Sequence, residues 1–137
     1  MFRVTAVMAV FVLSSLFLLS NLEGMAAGDE SVSFKKDVFP LIQKQCLPCH
    51  AEEEFNPSEL SMDNYKLIMA GGKNGPSIVK GKSAESLMIK KLGPNPPEGD
   101  RMPLNPKKKI KEGKAVWMKD EEIKTIATWI DQGAKDN

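Results

Sequence analysis

Hydrophobic and polar positions change character along the chain. Residues 4–19 are almost wholly apolar. Beyond them apolar residues recur at helical spacing, separated by long polar and proline-rich stretches. β-branched residues are scattered and no stretch alternates convincingly over six residues, so the pattern predicts an all-α domain with long loops.

Phe34, Val38, Leu41 and Ile42 fall at i, i+4, i+7 and i+8, one helical face leading directly into Cys46. Pro40 is tolerated in a first turn but not in a helix interior, so the regular helix is expected to begin near Asp37. A second, short helix is expected over 61–70, with Tyr65, Leu67, Ile68 and Met69 as its apolar residues and Gly71-Gly72 ending it. Ser83 is the expected cap of a third, which packs through Leu87, Met88, Ile89 and Leu92 and stops at Gly93-Pro94. The last helix is the clearest: Asp120, Glu121 and Glu122 place negative charge at its N-terminus, and Ile123, Ile126, Ala127 and Ile130 mark one face before Gly133.

Between the third and last helices, residues 93–106 hold five prolines and cannot be regular helix or central strand. A loop of this length in a small domain points to a function.

Length and composition refine the picture. A chain of 137 residues with 42% hydrophobic content fits one compact domain. Arg3, the apolar run and the small residues around Gly24-Met25-Ala26-Ala27 read as a secretory signal peptide over residues 1–26, cleaved after Ala26, which leaves a domain over 27–137. The competing reading is a retained anchor, because the run lies near the lower length limit for a bilayer span. Either way the domain is exported, to the periplasm or an equivalent compartment. Losing Arg3 and Glu23 leaves the net charge at +1, so bulk charge indicates neither a nucleic-acid partner nor strong membrane-surface binding.

Candidate chemistry centres on Cys46-Leu47-Pro48-Cys49-His50. This spacing lets two thiols bond the two vinyl groups of one haem while the adjacent imidazole reaches the iron. The chain has no other cysteine and no other histidine. A structural zinc site would need a carboxylate as its fourth ligand. A thioredoxin-like pair would be expected at a strand-to-helix junction, and here a helical pattern precedes the motif. A plain disulfide is the remaining alternative.

With His50 on the iron, the absence of a second histidine leaves methionine as the natural sixth ligand. Met62, Met69 and Met88 lie in or beside apolar helical stretches, where methionine usually fills the core, and Met118 precedes the last helix and is expected to pack against Ile123. Met102 stands in the proline-rich loop with Pro103 behind it and is the favoured ligand over a loop residue packed on the core. Histidine–methionine ligation raises the reduction potential and closes the iron to outside ligands, which suits electron transfer more than catalysis.

The order of Asp37-Val38-Phe39-Pro40, the Cys46–His50 motif, Gly99-Asp100-Arg101-Met102-Pro103, Asp120-Glu121-Glu122-Ile123 and Trp129-Ile130-Asp131-Gln132-Gly133-Ala134 resembles class I c-type cytochromes, and within them the planctomycete-type cytochrome c modules, over about 32–135. The resemblance implies a single cytochrome c-like domain enclosing one covalent haem c. Its N- and C-terminal helices would cross, and His50 and Met102 would lie on opposite faces of the haem. It also implies that Met118 is a core residue. Two features depart from the family pattern. Lys119 stands where a capping serine is usual, leaving Asp120 as the expected cap, and the stretch 105–117 is longer than expected. That stretch carries Lys107, Lys108, Lys109, Lys111 and Lys114, the dense basic run. It reads first as a solvated loop and second as a surface that steers an acidic redox partner. Trp129 is expected to be a helix-crossing core residue, and Arg101 and Trp117 are candidates for contacts to haem propionates.

The expected function is a monohaem electron carrier or electron-transfer subunit, not an enzyme, that exchanges single electrons with redox partner proteins outside the cytoplasm. The alternative is a haem sensor or enzyme of gases or peroxide, in which Met102 leaves the sixth position open.

Overall fold

The structure is a computed structural model that describes residues 30–54 and 56–137; the apolar N-terminal segment and the expected cleavage site after Ala26 lie outside the described residues. Ser31–Asn137 form one compact unit. Among the described residues there are helices and one isolated bridge between Gly72 and Gly75, with no strand. No helix among them is long and apolar enough to cross a membrane.

The chain turns helical earlier than Pro40 led us to expect. A π-helical turn over Phe34–Val38 precedes α1 over Phe39–Gln45. Val38 and Phe39 donate their N–H groups five residues back, to the carbonyls of Ser33 and Phe34. This wider turn ahead of Pro40 brings the proline into the first turn of α1, where its missing donor costs nothing. Phe34, Val38 and Ile42 thus stay on one buried face, as their spacing predicts, while Leu41 is half-buried.

α2, Leu47–His50, follows immediately. α3 spans Tyr65–Ala70, shorter than the expected 61–70: the Asn64 side chain caps it by accepting from the Leu67 N–H at 3.0 Å, and Met62 instead donates its N–H to the carbonyl of His50. Gly71 ends α3 at φ +78°, a conformation that favours glycine.

Ser83 does not cap the third helix. It begins a short 3-10 turn, Ser83–Glu85, and its N–H and hydroxyl both donate to the Asp131 carboxylate, at 2.7 and 2.8 Å. α4, Leu87–Leu92, starts after Ser86, whose hydroxyl accepts from Val79 N–H and donates to the Lys82 carbonyl. Residues 93–106 are irregular, as their prolines require. Within the lysine-rich stretch lies a helix not anticipated from the sequence, α5 over Lys107–Lys111.

α6 spans Asp120–Asp131. Lys119, not Asp120, is its N-cap; Glu122 reaches back to accept the Lys119 N–H at 3.0 Å, half of a capping box. α6 packs on the first helical turn through rings: Phe34 lies 5.3 Å from Trp129 and 5.4 Å from Tyr65, the latter edge-on. Burying Phe34 to 3% exposure contributes about 1.5–3 kcal/mol. The Trp129 indole N–H donates to the Lys135 carbonyl and the Tyr65 hydroxyl to that of Ala134, so the crossing also fixes the C-terminus. Met118 is buried in this core, as expected.

Candidate functional site

The turn bearing the two cysteines is built by hydrogen bonds to a single carbonyl. Cys49 and His50 donate their N–H groups to Cys46 O at 3.0 and 2.9 Å, which makes the motif one helical turn with the thiols at i and i+3 on the same face. Pro48 sits at the start of this turn, where it is tolerated. Neither cysteine is in a disulfide.

His50 Nδ1 lies 3.0 Å from the Leu60 carbonyl. A carbonyl can only accept, so this contact places a ring proton on Nδ1; in the neutral imidazole Nε2 is then the nitrogen with the open lone pair. Leu60 is itself held: the Asn56 amide donates to the same oxygen at 2.7 Å, and Ser58 Oγ donates to Asn56 Oδ1 at 2.7 Å. Gly72 closes this arrangement from behind, since a Cβ there would collide with Ser58 O and Leu60 N.

The Cys46 thiol is partly buried, and desolvation pushes it up to about 11. Reactive redox dithiols need the opposite shift, toward the thiolate. Among the described residues, no group of three or more His, Cys, Asp and Glu side chains is placed to hold a metal ion.

Cys46, Cys49 and His50 line a cavity of about 790 Å³, within the roughly 300–1,000 Å³ typical of cofactor sites. Ile42 of α1 adds to the same wall, and the rest of the lining comes from elements distant in sequence: Leu87 and Leu92 of α4, Ile126 of α6, and Met102 with Pro103 from the proline-rich loop. All four residues singled out by sequence therefore face one largely apolar space. The Met102–Pro103 peptide bond is cis, and Met102 donates its N–H to the Lys91 carbonyl at 2.8 Å.

Met62 and Met88, read from sequence as core fillers, are buried as expected but also line this cavity. Met62 is held beside His50 by its own backbone, and Met88 is tied through its N–H to the Ser77 carbonyl. Met88 lies on α4, while Met62 and Met102 both lie in irregular segments; Met102 is the one of the three that is only half-buried. Arg101 and Trp117 do not line the cavity; the guanidinium stacks 4.4 Å over the indole ring, and Arg101 Nε donates to the Leu92 carbonyl at 2.8 Å. Sequence reading missed the Leu60 carbonyl and its support. The only signal was the Asn56-Pro57-Ser58 turn.

Residues 46–103, a stretch that opens on Cys46 and closes on Pro103, match the family described as planctomycete cytochrome C. No curated protein and no solved structure matches the chain.

Proposed function

We propose, on the premise that residues 46–103 are a planctomycete-type cytochrome c module, that this protein is an exported monohaem cytochrome that passes single electrons between redox proteins. The family itself is one of haem electron-transfer proteins. The finer reading rests on one observation: two thiols on one helical turn, an imidazole with a committed Nδ1, and a loop methionine all face one apolar cavity.

These residues fit a covalently held haem. A bound haem c supplies an iron that takes up and gives back one electron. Cys46 and Cys49 would anchor it through thioether bonds to its vinyl groups, and His50 Nε2 would bind its iron. The Leu60 carbonyl fixes the orientation of the ring. Met102 would close the sixth position, leaving no site for a substrate on the metal. The apolar walls would limit water around a bound haem and so favour its less charged state.

In this reading residues 1–26 direct export and are cleaved, so the mature chain begins at Ala27. The exposed lysines of α5 would face an acidic partner. Mass spectrometry of the exported protein tests the cofactor and the processing together: the expected mass is that of residues 27–137 plus one haem. A mass lacking the haem sinks the proposal. Absorption of the reduced protein with and without carbon monoxide tests the sixth position. A spectrum unchanged on mixing, with at most slow uptake afterwards, is expected, and ready uptake of the gas would favour a sensor or enzyme.

A further inference from the structure

The family match ends at Pro103 and leaves the unusually long stretch 105–117 unexplained. Both ends of that stretch fold back onto the methionine loop. Asn105 Oδ1 accepts from the Val116 N–H at 3.0 Å, while its Nδ2 donates to the Val116 carbonyl at 2.9 Å and to the Pro103 carbonyl at 3.0 Å. A primary amide has two donor hydrogens, one for each carbonyl. One side chain thus closes the loop between residues 105 and 116 and ties it to the backbone carbonyl next to Met102.

The other side of Met102 is held as well. Arg101 donates to the Leu92 carbonyl of α4 and stacks on Trp117, the residue after Val116. From Trp117 the chain runs into Met118, which is buried at 4% exposure. Residues 101–103 are therefore braced between α4 and a strap whose far end is set in the core.

We infer that Asn105 is a positioning residue for Met102: its amide clasps the loop so that the thioether stays at the sixth position of the haem iron. The inference rests on Met102 being the axial ligand. A thioether binds iron weakly, and the ordering cost of its loop decides how often it lets go. A clasp made before the ligand binds removes part of that cost.

The test uses the full-length haem-loaded protein as wild type, Asn105→Ala, Asn105→Asp, Met102→Ala and, as a control on the same loop, Ile110→Ala. Carbon monoxide uptake by the reduced protein, the far-red absorption of methionine-ligated ferric haem, and far-UV circular dichroism are measured. Asn105→Ala and Asn105→Asp are expected to speed gas uptake roughly tenfold, the effect of losing one to two net hydrogen bonds. The aspartate fails because it cannot donate to the two carbonyls. Ile110→Ala should match wild type. Wild-type uptake in both Asn105 variants, with Met102→Ala open to the gas, overturns the clasp. Loss of helical dichroism in both also overturns it, by giving Asn105 a role in the whole fold. If Met102→Ala changes neither uptake nor the far-red band, the reading of Met102 as ligand is what fails.

Discussion

Methionines in three settings, the core, the cavity wall and the loop, carry different physical loads. Met118 is buried beside Ile126 and Trp129 in the core, so truncation leaves a cavity that the crossing helices cannot close. Met118→Ala is expected to lower the unfolding free energy by about 2–5 kcal/mol in urea denaturation. Met102, half-buried in an irregular loop, should behave differently: Met102→Ala is expected to admit carbon monoxide and lower the reduction potential, read by spectroelectrochemistry. Met62 and Met88 are the informative intermediates, being both buried and on the cavity wall. At this scale the sequence shows side-chain chemistry well and backbone chemistry poorly. Cys46, Cys49 and His50 announce themselves because no other cysteine or histidine competes. The Leu60 carbonyl that orients His50 has no signal of its own beyond the Asn56-Pro57-Ser58 turn that supports it, since every residue carries a carbonyl and only folding selects one.

At the scale of elements, apolar spacing predicted which faces are buried, while local caps were overruled by distant partners. Phe34, Val38 and Ile42 were readable from their period, but the π turn that reconciles them with Pro40 depends on bonds five residues back that no propensity encodes. Ser83 has the right chemistry for an N-cap. The Asp131 carboxylate on α6, forty-eight residues away, takes both its hydroxyl and its N–H. Ser86 does the local work instead, fully buried, with its hydroxyl between Val79 N–H and the Lys82 carbonyl. The two serines should therefore differ in urea denaturation. Ser86→Ala removes a fully buried hydroxyl and leaves the part-buried Val79 N–H without that partner, and is expected to cost about 1–3 kcal/mol. Ser83→Ala leaves exposed groups that water can satisfy, and its cost should stay below about 1 kcal/mol. Equal costs would mean that the bonds of Ser83 to α6 matter as much as the buried turn.

Across the whole molecule the net charge of +1 conceals a strong local asymmetry. Lys107, Lys108, Lys109, Lys111 and Lys114 are all exposed on and just beyond α5, and among the described residues only Lys114 of these has an ion-pair partner, Glu112 at 3.0 Å. The patch is attached to the cavity rim. Leu104 lines both the cavity and an outer hollow that Lys107 also lines, and Asn105 fixes the base of the loop. Charges so placed act on an approaching reactant over about 8 Å at physiological salt, and over only about 3 Å at 1 M. Replacing Lys108, Lys109 and Lys111 together by glutamate reverses the sign of the patch while leaving the buried residues untouched. Oxidation of the haem-loaded protein by ferricyanide, an anionic reagent, is then expected to slow by roughly tenfold at low ionic strength. Oxidation by a cationic cobalt complex should become faster, and both differences should fade as salt is raised. Equal slowing with both reagents would point to a disturbed fold instead of a lost field. Rates insensitive to the charge reversal would place electron exchange away from α5 and remove the case for an acidic partner at this face.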